Sequence, residues 1–231
     1  MDAQIPPGAC CMNVKASSGE PCNEQLDVKG DHAACCEFGP CRNFRHNDLA
    51  DIHADILEEA GAHARREVFV QEFSAGGVDA FLDTWGFGTP ELPDCLIDVT
   101  VRHPFAERYQ PGASETAGSA ASQAEKEKLS RYPAQAGRAV LAAAHETWGR
   151  LGETVENHLL LCAAAVRRRA FRRGRAPGNC LRRWRAQLDA ALMRGIAAQL
   201  ASARFGLPGR VRRRVPPEDA AQLEVRCRLG T

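Results

Sequence analysis

No apolar run in the chain approaches the roughly 18 residues that a membrane-spanning helix needs, and the first residues lack the basic-then-apolar layout of a secretory signal. Both absences lead us to expect a soluble, intracellular protein without a membrane partner. Internal repeats are missing too, which sets aside solenoids and propellers. Acidic residues are scarce at one end: residues 161–231 hold 17 arginines, no lysine and only 4 acids, whereas residues 1–160 hold 25 acids against 13 Lys and Arg. The formal net charge of +1 therefore conceals local balances of −12 and +13. An acidic body with a basic arm is the expectation, and such an arm attracts phosphate backbones by releasing counterions.

What is present is ordinary for a globular chain of 231 residues: 44% hydrophobic and 26% charged, enough for a real core. The ten cysteines are not evenly spread. Cys10, Cys11, Cys22, Cys35, Cys36 and Cys41 crowd into the first 41 residues beside His32 and His46. In an intracellular chain this composition reads as metal binding, not as disulfides. Residues 1–45 also lack apolar periodicity, so a staple would have to supply the folding energy. Cys22, His32 and Cys36 (or Cys35) are spaced C-x9-H-x3-C, and Cys10, Cys11 or His46 could complete a tetrahedral Zn2+ set. A scatter of free thiols is the plainer alternative.

From His46 onward the pattern becomes regular. Leu49, Ile52, Ile56, Leu57 and Ala60 recur at helical spacing, with Asn47 or Asp48 to cap and Gly61 to stop, which predicts a helix over about 46–64. Val68 to Phe73, bounded by Ser74, Gly76 and Gly77, and Val78 to Gly86 predict two strands paired as a hairpin. Cys95 to Val101 (CLIDVTV) predicts a buried central strand ended by Pro104. A Gly/Ser/Ala-rich loop reaches about 118, and AASQAEKEKLSRY then predicts a helix stopped by Pro133. Ala139 to Ala144 gives a fourth strand, and Leu151, Val155, Leu159, Cys162 and Val166 mark another amphipathic helix. Beyond the break at Ala176, Pro177 and Gly178, Asn179 caps a long helix with a stripe of Leu181, Trp184, Leu188, Leu192, Ile196 and Leu200, closed by Gly206 and Pro208.

Two aspartates stand on the expected strands, Asp83 in FLDTWGFG and Asp98 between Ile97 and Val99. A carboxylate in a buried strand is costly unless it is paired, hydrogen-bonded or bound to a cation. Two acids on neighbouring antiparallel strands can share one divalent ion, which activates water and steadies a phosphodiester transition state. Turn capping by Asp83 and an arginine partner for Asp98 are the simpler alternatives. The helix after the third strand carries Lys126, Lys128, Arg131 and Tyr132, with Lys128 and Tyr132 on one face. Glu72 and Glu146, at expected strand ends, are additional ligand candidates, and His103 either touches the site or leads into the loop. Arg167, Arg168, Arg169, Arg172, Arg173 and Arg175, then Arg182, Arg183 and Arg185, then Arg212, Arg213 and Arg214 form three basic clusters fit for phosphate contacts.

The order helix, three-stranded meander, helix, strand, helix is that of the PD-(D/E)xK nuclease core. The blocks GDHAACC and RHNDL, then LDTWGFG, LPDCLIDVTVRHP, AEKEKLSRYP, HETWGRLG and LRRWRAQLDAALMRG resemble, in that order, the restriction-like endonuclease region of non-LTR retrotransposon polyproteins. The resemblance spans about residues 22–206. It implies that Asp83 and Asp98 bind a catalytic Mg2+ or Mn2+. Thr100 occupies the position where that motif has its lysine, and related enzymes move the lysine to the following helix, which implies Lys128, with Lys126 in reserve. Pro93-Asp94 stands too close to Asp98 to be a separate strand element and is taken as the turn before it.

Together these readings predict an α+β fold with a restriction-endonuclease-like core at 46–175, a zinc-stapled segment at 1–45 and an Arg-rich helical extension at 176–231. The expected activity is DNA nicking that leaves a 3′-hydroxyl for primed reverse transcription, in the nucleus or elsewhere inside the cell. DNA or RNA, and a reverse transcriptase of the same element, are the expected partners, although no reverse-transcriptase signature occurs in the chain. The rival reading is a catalytically inactive, zinc-stapled nucleic-acid-binding protein, and Thr100 is the residue that favours it.

Overall fold

The β-branched run that begins at Cys95 forms an interior strand of a four-stranded mixed sheet. The computed structural model describes residues 5, 6, 8–15, 17–74, 78–133, 140–176 and 178–206. Gly76, Gly77, Ala139, Pro177, Pro208, Arg212, Arg213 and Arg214, on which several expectations rest, lie outside these. In chain order the elements are α1 (Asp31–Cys35), α2 (Cys41–Ala60), β1 (His63–Phe69), β2 (Phe81–Phe87), β3 (Cys95–Arg102), α3 (Gln110–Glu115), α4 (Ser119–Arg131), β4 (Val140–Glu146), α5 (Glu153–Arg172) and α6 (Cys180–Phe205). The sheet order is β1-β2-β3-β4, with β1, β2 and β3 antiparallel in turn and β4 parallel to β3. The architecture is thus α+β, as expected.

Several elements differ from expectation: α3 (Gln110–Glu115) lies inside the stretch expected to be a loop, β2 starts at Phe81 instead of Val78, and the first helix and first strand are displaced. The first long helix starts at Cys41, after Pro40, five residues before the expected 46, and ends at Ala60, with Gly61 at φ 100°. Its start is largely polar in sequence, yet Cys41 and Arg45 are buried because α6 covers that face. The first strand runs from His63 to Phe69, not from Val68 to Phe73, and Phe73 falls in a 3-10 turn at Gln71–Phe73. Its charged start, HARRE, is tolerated because β1 pairs on one side only among the described strands.

Because side chains alternate along a strand, β3 addresses both faces of the sheet. Ile97 and Val99 enter the main core with Leu49, Ile56 and Leu57 of α2, Val155 and Leu159 of α5, and Trp184, Leu188 and Leu192 of α6. At roughly 1.5–3 kcal/mol per large buried side chain, the apolar stripe of α6 is held firmly to this core and its arginines project from a packed helix. Contact between α2 and the sheet is tight: a Cβ on Gly86 would lie 2.7 Å from Leu57 Cδ2. Leu96, Asp98 and Thr100 face the other way, toward α4, whose Ala121 and Ala124 pack on Ala144 of β4.

The core under the sheet is not wholly apolar. His53 of α2 and His145 of β4 meet at Nε2 to Nε2, 3.2 Å apart and fully buried. That contact requires one ring to donate and the other to accept, so both are neutral in complementary tautomers. Burial holds His145 and His158 at about 4, below their ordinary 6.5, and holds His53 well below as well, with the charge of His145 adding to the effect. In the unfolded chain these rings take up protons near 6.5. Acid therefore favours unfolding: the stabilisation is complete above about pH 6.5 and is lost as pH falls toward about 4. We expect the unfolding free energy from urea titration to drop between pH 7 and pH 5, each histidine adding about 1.4 kcal/mol per pH unit below its unfolded pKa. His158→Gln should flatten that slope, and a slope unchanged by the substitution would contradict a buried neutral His158.

Candidate functional site

The ladder between β2 and β3 runs from Gly86↔Cys95 to Thr84↔Ile97 and stops. One step further would set Asp83 across from Asp98. There β2 leaves the ladder, and the Asp83 carboxylate takes the place of a strand partner: its Oδ2 accepts the Val99 amide at 2.6 Å. Oδ1 lies 2.8 Å from His46 Nε2, and Arg66 Nη1 donates to the Asp83 carbonyl. Burial raises the Asp83 carboxyl, but the hydrogen bond and charge of His46, the Val99 amide and Arg66 outweigh it, and the group titrates below the ordinary carboxylate range.

Asp98 is 5% exposed and receives Lys128 Nζ on Oδ2 at 2.7 Å. Its carboxyl is raised, first by burial, against the charge and hydrogen bond of Lys128; Asp83 raises it further by charge and by a carboxyl hydrogen bond. The two carboxyls feel each other and divide the work, one shifted toward the charged form and one toward the protonated form. Tyr132, one helical turn beyond Lys128, packs its ring on Leu96 and Val140, and burial and the charges of Asp98 and Asp83 raise its phenol.

Of the residues singled out from sequence, Asp83, Asp98 and Lys128 come together. Others do not. Lys126 is exposed on another face of α4, because two residues along a helix turn the side chain through about 200°. Glu72 sits in the exposed turn after β1 and does not join the carboxylates. Glu146 Oε1 instead accepts the Ala121 amide at 3.2 Å, satisfying the start of α4. His103 is buried between Thr147 Oγ1 (2.7 Å) and Asp31 Oδ1 (3.1 Å), at the far end of β3. Arg66 was missed by sequence reasoning, and no motif marks it.

The cysteine-rich segment forms a second centre. Cys11, Cys22, His32 and Cys36 bring one ligand atom each to within 4.8 Å of all the others. Cys11 and Cys36 sulfurs are 3.7 Å apart, Cys36 and Cys22 3.8 Å, and Cys22 Sγ lies 3.5 Å from His32 Nε2. A tetrahedron with zinc–sulfur bonds near 2.3 Å has S···S edges of about 3.8 Å, so this Cys3His set can hold a metal such as zinc. Burial, with the neighbouring thiols, pushes Cys11 up to about 12, a penalty that a bound divalent cation relieves. Two expected ligands are corrected. His46 lies in the second turn of α2, which carries it to Asp83 instead, and Cys35, one residue before Cys36 on α1, is rotated out of the set.

The arginines divide into two groups. Arg168 donates to the Glu91 carbonyl at 2.8 Å and Arg169 to the Glu59 carbonyl at 3.0 Å, while Arg172 pairs with Glu91 and Arg183 with Glu59. These tie α5 and α6 to α2 and to the turn before β3. Arg167, Arg173 and Arg182 are exposed and form no ion pair among the described residues. No protein-family model matches the chain, and a search of the curated proteins returned no match. None of the described helices is long and apolar enough to cross a membrane.

Purified protein is expected to carry about one zinc ion per chain by elemental mass spectrometry. Cys36→Ser should lose it, whereas His46→Ala and Cys35→Ser should keep it. Full zinc occupancy in both Cys11→Ser and Cys36→Ser would place the metal elsewhere.

Proposed function

We propose that the chain is a metal-dependent DNA endonuclease with a restriction-endonuclease-like core, related to the endonuclease of non-LTR retrotransposons. The observation that carries this reading is the meeting of Asp83 and Asp98 where β2 leaves β3, with Lys128 Nζ on Asp98 at 2.7 Å. The antiparallel meander followed by a helix and a parallel fourth strand supports it, as do the sequence blocks that resemble that family. Lysine delivered from α4 compensates for Thr100, the residue that speaks for an inactive fold.

Asp83 and Asp98 are the groups that would hold Mg2+ or Mn2+, and their convergent oxygens with one raised carboxyl fit a hard divalent ion. Such a cation supplies Lewis acidity toward a phosphodiester and lowers the pKa of bound water. The chain's own groups do the rest. His46 and the Val99 amide fix the Asp83 carboxylate while leaving lone pairs on both oxygens. Lys128 offsets part of the burial that raises Asp98, and its ammonium would orient an attacking water or offset charge on a phosphate. A nick leaving a 3′-hydroxyl, with a reverse transcriptase of the same element as its user and the nucleus as its setting, follows from the resemblance. The exposed Arg167, Arg173 and Arg182 supply contacts to DNA or RNA backbone.

Asp98→Asn, nearly isosteric, should lower Mg2+-dependent plasmid nicking by roughly 100-fold or more while leaving DNA affinity unchanged. Lys128→Ala should act likewise. Changing Arg167, Arg173 and Arg182 together to Ala should weaken binding and reduce the slope of log affinity against log salt by about 0.9 for each phosphate no longer neutralised. Nicking that survives Asp98→Asn would move the chemistry to other residues, and wild type that binds but never nicks would favour the inactive rival.

A further inference from the structure

We infer that Phe105 and Trp148 form a stacking platform for unpaired nucleobases at the end of the parallel β3/β4 pair. The inference takes from the proposed function only that the ligand is a nucleic acid. Each ring follows one of the two parallel strands and is the third residue of a four-residue turn. In one turn the Ala106 amide donates to the His103 carbonyl at 3.1 Å, and in the other the Gly149 amide donates to the Glu146 carbonyl at 3.0 Å, with Gly149 at φ +91°. A Thr147 amide bond to the Arg102 carbonyl at 2.9 Å locks the second turn to the end of β3.

Between the two rings lies His103, whose ring centroid is 5.8 Å from that of Phe105 and 5.8 Å from that of Trp148. His103 is 4% exposed, yet Phe105 is 53% and Trp148 50% exposed. Each large ring touches a buried imidazole, edge-on or tilted, and about half of each residue is open, a forfeited burial that a flat aromatic ligand would recover. Two arginines flank the rings, in company with Asp31 on His103 and with Glu146. Arg102 Nε is buried and meets no acceptor among the described residues. Arg150, half exposed, reaches Glu146 at only 4.0 Å, a loose pair that leaves its guanidinium available. A phosphate strand with its bases turned onto the rings matches both features, since every base offers a π face and arginine binds phosphate.

Five residues separate Asp98 from His103 along β3, about 16 Å at 3.3 Å per residue, or roughly five stacked base steps. The platform therefore lies beyond the carboxylates along β3.

The test titrates the full chain with a fluorescein-labelled oligo-dT and with a duplex of equal length, reading anisotropy and tryptophan emission. Trp148→Ala should weaken oligo-dT binding about tenfold and duplex binding less than about twofold, with Phe105→Ala acting in the same direction and Trp148→Phe restoring most of the affinity. Circular dichroism of each variant should match wild type, because neither ring belongs to the core clusters. Unchanged oligo-dT affinity in folded Trp148→Ala, equal losses on single strand and duplex, or no binding of either oligonucleotide by wild type would each overturn the platform. Plasmid nicking by the same preparations separates the two ideas. Nicking with Trp148-independent binding removes the platform alone, and Trp148-dependent single-strand preference without nicking keeps the platform and removes the nuclease.

Discussion

A single carboxylate replaces a strand partner at the centre of this fold. Asp83 Oδ2 on the Val99 amide lets β2 depart from β3 without stranding a buried donor, one residue along from Asp98, which Lys128 meets from α4. Nitrogen groups from three elements are correspondingly near: His46 from α2, Arg66 from β1 and Lys128 from α4. Three separate elements thus commit polar partners to one pair of acids, and the arrangement divides their proton affinities, lowering Asp83 and raising Asp98.

The order of elements was legible because the strongest signals were local. CLIDVTV reads as an interior strand from its continuous β-branched character, and Asn179 caps α6 as its position suggested, its side chain accepting the Arg182 amide at 3.3 Å. Boundaries failed where burial came from tertiary contact. Nothing in CRNFRH announces a helix face, since Arg45 is buried by α6 and not by its own apolarity. β1 opens with charged residues that only a sheet edge accepts.

The candidate site was legible to a similar degree. Asp83, Asp98 and Lys128 could be picked from residue type and order, but the partner of Asp83 could not. His46 was read only as a candidate zinc ligand, and its contact with Asp83 rests on how α2 is phased against the sheet, which spacing does not encode. Among Cys10, Cys11 and His46, the bridge of Cys10 to Gln25 and the amide bond of Cys11 to Glu24 set the hairpin that turns Cys11 inward and leaves Cys10 at the surface.

The contact of Asp31 with His103 has a bearing on modularity. Asp31 opens α1, next to His32 of the thiolate cluster, and its partner lies at the end of β3. With α2 starting before residue 46 and α6 packing on both α1 and α2, the cysteine segment shares walls with the sheet body. Shuffling between proteins at that border would sever a helix and orphan a buried imidazole, so the two parts are transferable only as one block.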